Sequence, residues 1–367
     1  MKITLLNDTS DSVNWGCQAT SHNIKRIIGT HFHDAQFQSV TNPKLPTKFF
    51  KPLRKYFNQS LMNLLADDIS NKDEIYRQLS RLNFPDLGSP LPDKIYLNGE
   101  GMLHRKSGHL PRLLGTLIHY KNQGVWVGAI NQTVDLAPNS PELNVLVQVF
   151  SAMDYISVRD PYSYQLLLSA GLENCQLVPD AAFGCVTSTN EEIAEVRGKN
   201  GLPNNYIVLT GSSALTEKSI SKFGAVYRCL KTLTKLPIVL LGNTKTDYHL
   251  AKQVKKNDPS SILISRQTTY KEAMALIAGA DLFVSGRFHP MIFAALAGTP
   301  LLPLTANTHK NQGLLKMLKY PIDAIDWNDI AALKKGLEVL SLDQEKIVNA
   351  TQEIAQTYHQ ETSGIIG

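Results

Sequence analysis

Cysteine is scarce in this chain, with four among 367 residues, at Cys17, Cys175, Cys185 and Cys229. They form no closely spaced metal-binding pair, and four are too few to staple a chain of this length. A reduced, intracellular setting is the simple reading. No apolar run approaches the roughly 20 residues that a bilayer-spanning helix needs, which excludes such a helix. The start, MKITLLNDTSDSVNWG, turns polar at Asn7 and Asp8. It reads as a first buried strand rather than as a signal peptide, so a cytoplasmic location is expected. A Walker phosphate loop, H-E-x-x-H, G-x-S-x-G and a Cys/His metal cluster are all missing. The chemistry is therefore expected to need no zinc, no nucleotide-hydrolysing site and no cofactor. Charge of one sign is not concentrated either: Lys and Arg number 37 against 32 for Asp and Glu, a net charge of +5. So mild and spread an excess argues against nucleic acid as a partner, and it suits an enzyme that attracts an anionic substrate.

What is present is a chain 43% hydrophobic and 19% charged, far too apolar for disorder and long enough for two domains. Short apolar runs alternate with helical patterns. KITLL (2–6), KIYLN (94–98), VWVGAI (125–130), DYISV (154–158) and CQLV (175–178) read as strands of the first half. YIVLT (206–210), PIVLLG (237–242), SILIS (261–265), DLFVS (281–285) and PLLPL (300–304) repeat the scheme in the second. Such alternation predicts parallel sheets covered by helices on both faces. The expected fold is α/β, with two doubly wound, Rossmann-like domains facing a cleft. The boundaries expected are an N-terminal domain over 1–182, a linker over 183–204 and a C-terminal domain over 205–325. A helical tail over 326–367 is expected to pack back across the domain junction. The stretch 41–57 carries Lys44, Lys48, Lys51, Arg54 and Lys55 with three prolines and no acid, and reads as a loop or irregular arm. Its cations would suit the neighbourhood of anionic lipid head groups at the inner membrane face, and its interleaved Phe49, Phe50, Tyr56 and Phe57 could stack on a sugar. A solvated loop is the plainer alternative.

Two segments carry chemistry. SVRDPYSYQLL (157–167) and SGRFHPMIFAAL (285–296) each end a buried strand, present an arginine and open a helix with an early proline. A proline there costs little, because the first amides of a helix lack internal partners. Helix starts favour anions, and ligands of open α/β sheets bind at the carboxyl ends of strands. Arg159 from one domain, and Ser285, Gly286, Arg287 and His289 from the other, are thus expected at one cleft. A planar guanidinium suits a carboxylate or phosphate. Structural Arg–carboxylate pairs and a capping histidine are the alternative. Asn14-Trp15-Gly16-Cys17 follows the first strand, where Gly16 would let backbone approach a ligand and Asn14 offers a donor and an acceptor. A turn that only caps the next helix fits equally well. Asn98-Gly99-Glu100-Gly101 follows another strand, but lacks the full dinucleotide fingerprint. Glu100 is either an acid/base group or a solvated carboxylate. Asp180, just after a strand, is placed to orient an arginine or to hinge the domains.

Taken in order, NWGCQA, NGEGML, SVRDPYS, VPDAAF and SGRFHPMIFAALAGTP resemble the polysaccharide pyruvyl transferase family along most of the chain. The last segment is the most specific, with Arg287, His289, Gly298 and Pro300 at the family's Arg-x-His and Gly-x-Pro positions. Two departures stand out: Cys17 replaces an aspartate common in the family, and Glu100 interrupts a turn that is usually glycine only. The resemblance implies a fold similar to the GT-B glycosyltransferases. It implies transfer of a pyruvyl group from phosphoenolpyruvate to a sugar of a surface polysaccharide, or of its lipid-linked oligosaccharide precursor, to give a cyclic ketal. It also implies Arg159 and His289 as the donor-binding and catalytic pair.

The residue types suit that chemistry. Phosphoenolpyruvate carries a phosphate and a carboxylate on one small frame, and cationic corners are what its site requires. His289 is the candidate general acid for the methylene carbon, with phosphate binding as its competing role. Arg287 and Arg159 would hold the donor's two ends, Asn14, Gly16, Ser285 and Gly286 would line the donor site, and Glu100 and Trp15 would meet the acceptor. Two other functions fit the same sequence. One is a glycosyltransferase using a nucleotide sugar, against which SGRFHPMIFAALAGTP offers no ribose-binding carboxylate. The other is a catalytically silent scaffold for polysaccharide synthesis, which would have no need of converging cations.

Overall fold

The computed structural model describes residues 1–41, 51–101, 103–104 and 108–367. The chain forms two compact units. The first takes Met1–Thr9, Ile24–Asp180 and Glu361–Gly367, and the second takes Ser10–Asn23 and Ala181–Gln360.

The elements drawn on by the first unit are, in order, β1 (Lys2–Leu6), α1 (Trp15–His31), β2 (Gln36–Val40), α2 (Lys51–Asp67), α3 (Lys72–Arg81), β3 (Lys94–Asn98) and β4 (Leu103–His104). There follow α4 (Leu110–Lys121), β5 (Trp126–Gln132), β6 (Val134–Asp135), α5 (Pro141–Ser151), β7 (Tyr155–Val158), α6 (Pro161–Ser169) and β8 (Cys175–Leu177). Helix α1 is shared: its residues through Asn23 belong to the second unit. The main sheet is parallel in the order β2-β1-β3-β5-β7-β8, with β4 and β6 as a separate short pair. One core covers a face of this sheet, with Leu6, Ile95, Leu97, Val127, Ala129, Ile156 and Val158 packed among residues of α2 to α5. The alternate residues Ile3, Leu5, Tyr96 and Ile130 are equally buried. With both faces covered, the inner strands are mostly apolar.

The second unit contains α7 (Asn190–Lys199), β9 (Ile207–Ser212), α8 (Ile220–Thr234), β10 (Ile238–Leu240), α9 (Lys245–Asn257), β11 (Ile262–Leu263) and α10 (Tyr270–Ala278). It continues with β12 (Leu282–Gly286), α11 (Phe288–Ala297), β13 (Leu301–Pro303), α12 (Lys310–Met317) and the long α13 (Ile330–Glu361), which kinks at Asp343. Its sheet is parallel in the order β11-β10-β9-β12-β13. Successive strand residues point to opposite faces, and here they divide cleanly between two cores. Val208, Val239, Phe283 and Leu301 join one core with residues of α10 to α12. Ile207, Leu209, Ile238, Leu240, Val284 and Leu302 join the other with residues of α8, α9 and α13.

Two stretches differ from their sequence reading. Residues 183–204, expected to be a linker, hold α7 inside the second unit. Thr189 and Glu192 close a reciprocal capping box there, and that Thr-x-x-Glu spacing was legible. Within the arm expected over 41–57, residues 51–57 instead open α2, with Pro52 tolerated in the first turn. Lys44, Lys48, Phe49 and Phe50 lie outside the described residues. The tail is helical as expected, and its last seven residues belong to the first unit. There the phenols of Tyr155 and Tyr96 donate to the carbonyls of Gly364 at 2.6 Å and Ile366 at 3.1 Å. Burial pushes the Tyr155 phenol up to about 12, so it stays a donor at neutral pH. Among the described residues no helix is long and apolar enough to cross a membrane.

Ile365 is fully buried in the first unit although it stands two residues from the end of the chain. Ile365→Ala is expected to cost roughly 2–5 kcal/mol, the usual range for emptying a core site, read as a lower urea midpoint for the first unit.

Candidate functional site

Strand order fixes where each unit can hold a ligand. In a parallel sheet the loops leave the strand ends in opposite directions where the order reverses, and they open a crevice there. The reversal falls between β1 and β3 in the first unit and between β9 and β12 in the second.

At the first reversal, Asn7 follows β1 in a left-handed conformation with φ of 60°, which asparagine tolerates. Its side-chain amide donates to the Asn98 carbonyl at 2.6 Å. The Asn98 side chain in turn accepts from the Glu100 amide at 3.3 Å, and Glu100 is half-buried. Lys25 pairs with Asp8 at 3.0 Å. Two strands along, Asp160 caps α6 by accepting from the Ser163 amide at 2.9 Å, which holds the preceding Arg159 at the end of β7. Arg159 is only 3% exposed. Its Nη1 donates to Asp180 at 2.6 Å and its Nε to the Thr133 hydroxyl at 2.9 Å. Asp180 thus orients an arginine, one of the two roles its position suggested.

At the second reversal, Gly286 lies opposite Ser212. A Cβ at residue 286 would fall 2.5 Å from that of Ser212, so only glycine lets the two strand ends close. Arg287 then caps α11, its amide donating to the Ser285 hydroxyl at 2.9 Å. The guanidinium grips Asp247 through two bonds, Nε to Oδ2 and Nη2 to Oδ1, each 2.8 Å, and Nη2 also donates to the Thr244 hydroxyl at 3.0 Å. Its Nη1 bonds to none of the described residues, and the side chain is 19% exposed. His289 sits in the first turn of α11, where the helix start carries partial positive charge. It is 6% exposed, with Nε2 3.2 Å from the Thr20 hydroxyl. The ring is packed on Gly16: a Cβ at residue 16 would fall 2.0 Å from Nδ1.

The loop after β1 therefore contributes to the second unit, not to the N-terminal domain expected over 1–182. Asn14 takes the capping role, its side chain accepting from the Gly16 amide at 3.0 Å. Trp15, expected on the acceptor side, is a core residue instead: it is 4% exposed, packed in one core of the second unit, and its indole donates to the Thr268 carbonyl at 2.7 Å. A buried ring has no face to offer a sugar. Cys17 is half-buried while the other three cysteines are buried. Among the described residues no group of three His, Cys, Asp or Glu side chains is arranged to hold a metal ion.

A family model described as polysaccharide pyruvyl transferase matches residues 14–307. The chain belongs to the polysaccharide pyruvyl transferase family. Membership makes it a transferase acting on polysaccharide. The match takes in the Gly16, Arg159, Arg287 and His289 positions described above.

No curated protein matches this family member in sequence. Solved structures show the fold. A UDP-GlcNAc 2-epimerase from Methanocaldococcus jannaschii superposes with a TM-score of 0.58 at 13% identity, covering 97% of this chain and 99% of its own. The Neisseria meningitidis UDP-GlcNAc 2-epimerase, bound to UDP-GlcNAc, gives 0.58 at 12% identity over 100% and 98%. Anabaena HepE, in complex with UDP and glucose, gives 0.56 at 14% over 99% and 95%. The chain is thus an α/β protein of two Rossmann-like domains, of the GT-B kind expected from the sequence.

The second unit brings Asn14, Gly16, Ser285, Gly286, Arg287 and His289 into one neighbourhood, while Arg159 and Glu100 belong to the first. Sequence reasoning missed Thr20, Thr244 and Asp247. The last two form a Thr-x-x-Asp helix start, the Thr244 hydroxyl accepting from the Asp247 amide at 3.1 Å, and that spacing is a readable signal. Nothing local marks Thr20, which meets His289 from 269 residues away.

Gly16→Ala is expected to cost roughly 1–3 kcal/mol by forcing the His289 ring aside. Gly29→Ala, in the same helix with open space around it, should instead stabilise by about 0.5–1 kcal/mol. Urea unfolding of the two variants side by side checks the contrast.

Proposed function

We propose that this transferase moves the pyruvyl group of phosphoenolpyruvate onto a polysaccharide sugar or its lipid-linked precursor, forming a pyruvate ketal. The observation that carries this reading is the corner where β12 meets α11. There a fixed guanidinium edge and an imidazole stand together at a helix start, at the strand-order reversal of one sheet. A small dianion suits such a corner, because the helix start, Arg287 and His289 all favour negative charge.

In the proposed reaction the donor's methylene carbon takes a proton while positive charge develops at the neighbouring carbon. A sugar hydroxyl attacks that carbon and gives up its own proton. A second hydroxyl of the sugar then closes the ring as the C–O bond to phosphate breaks, so one diol and one phosphoenolpyruvate yield one ketal and one inorganic phosphate. His289 is the assigned acid. Its ring is set by the Thr20 hydroxyl, 3.2 Å from Nε2, and by Gly16 packed on the Nδ1 side. Arg287 meets the donor through Nη1 and stabilises charge on the departing phosphate. Arg159 enters the proposal as the residue that fixes the first unit's strand ends with Asp180, rather than as a direct donor ligand, because its guanidinium is buried among protein partners. Glu100 is assigned to the acceptor side on its half-buried place at the first unit's strand-order reversal. By position and charge the donor is expected to bind without a nucleotide.

Incubation with phosphoenolpyruvate and candidate glycosides should release phosphate and add a pyruvate-sized mass to the glycan. His289→Ala should lower that rate by at least about 100-fold, the usual worth of a positioned acid, with an unchanged melting profile. Full activity in the variant would remove His289 as the acid. Thermal stabilisation by UDP-sugars alone, with none from phosphoenolpyruvate, would replace this reading with a nucleotide-sugar glycosyltransferase.

A further inference from the structure

Asp247 stands outside every segment that carries the family resemblance, yet the end of the second sheet is shaped around it. Its residue is 3% exposed. Glycines leave space for it on two sides. A Cβ at Gly211 would fall 2.0 Å from its Oδ1, and one at Gly242 would fall 2.6 Å from its own Cβ. Its backbone is fixed as well, because Thr244 caps α9 through the Asp247 amide. In this recess both carboxylate oxygens face Arg287, one on Nε and one on Nη2, at 2.8 Å each. Thr244 takes a further Nη2 bond at 3.0 Å.

A guanidinium has five N–H donors in a rigid plane. Asp247 and Thr244 take up the Nε and Nη2 edge, and Nη1 bonds to none of the described residues. The fork–fork geometry leaves the plane no freedom to turn. It also sets a full negative charge against the positive one, so the pair presents directed donors without an unbalanced charge.

We propose that Asp247 is a positioning residue for the donor site: it locks Arg287 so that Nη1 alone meets the anionic donor, and it tempers the arginine's charge so that phosphate can leave. This rests on the reading of Arg287 as donor-binding. An arginine released from the carboxylate would hold an anion more tightly, through more donors and its whole charge, but in a geometry no longer matched to the reaction. A carboxylate that merely supported the fold would show a different pattern when removed, with weaker binding and slower turnover together.

The test is a cycle of Asp247→Asn, Arg287→Gln and the double variant. Each is measured for inorganic phosphate affinity by calorimetry, for phosphoenolpyruvate turnover with a glycan acceptor, and for thermal unfolding. Asp247→Asn is expected to bind phosphate several-fold more tightly while kcat falls by about tenfold. In the Arg287→Gln background the same change should alter kcat by less than about twofold, since residues that act through one another are not additive. The neutral double variant, which buries no lone charge, keeps the comparison available where a single variant is unstable. Weaker phosphate binding in Asp247→Asn, unchanged turnover, or losses that multiply in the double variant would each overturn the proposal. If the wild-type chain turns over no phosphoenolpyruvate, the proposed function fails. The phosphate affinities of the four proteins then decide the role of Asp247 alone, tightening supporting it and weakening overturning it.

Discussion

The reversal of strand order between β9 and β12 is the constraint on which the second unit's chemistry depends. Two parallel strands lie side by side there, and the chain leaves them in opposite directions, so their ends cannot be covered by a common loop. Gly286 permits this closeness by having no Cβ to meet Ser212. Once the strand ends are together, the next residue must cap α11, and that residue is Arg287. His289 follows in the first turn. The Arg287–His289 corner is thus a consequence of sheet topology combined with one glycine, and no separate loop is needed to carry it.

Both arginines singled out by the sequence proved to be held by carboxylates, yet the two pairs differ in kind. Arg159 and Asp180 are closed in, with side chains 3% and 1% exposed. Breaking a pair so buried leaves a lone charge without water, which makes it a fixture of the first unit. Arg287 keeps an outward edge, while its partner Asp247 is sunk behind two glycines. An ion pair with one buried partner and one partly open partner is suited to presenting donors in a set direction. The difference comes from surroundings rather than residue type, since both pairs are Arg–Asp contacts at strand ends.

Much of the fold was legible, because strands covered on both faces must be apolar over their whole length and turn polar where they end. YIVLT, DLFVS and KIYLN announce themselves in this way. What escaped were elements with weak periodicity. β2 is an edge strand with mostly exposed residues. Helix α7 buries none of its residues fully, so only its capping box betrayed it. At the site, Arg287 and His289 could be read because a strand end, a cation and an early proline stand together in one segment. Asp247 could not be read as their partner, for it meets Arg287 across 40 residues, and its helix-start pattern is shared by many ordinary caps.

The sequence by itself determined the parallel α/β class, the two-unit organisation and the strand ends at which the arginines and the histidine stand, because those follow from the spacing of apolar residues and from short local motifs. Only the tertiary structure decided that residues 10–23 join the second unit, that Trp15 is core, that the last seven residues return to the first unit, and that each arginine has a particular aspartate as its partner. Local patterns report which way a side chain faces along its own element. Which distant side chain it meets depends on strand order and on space left by glycines elsewhere, and a linear chain does not display either until it is folded.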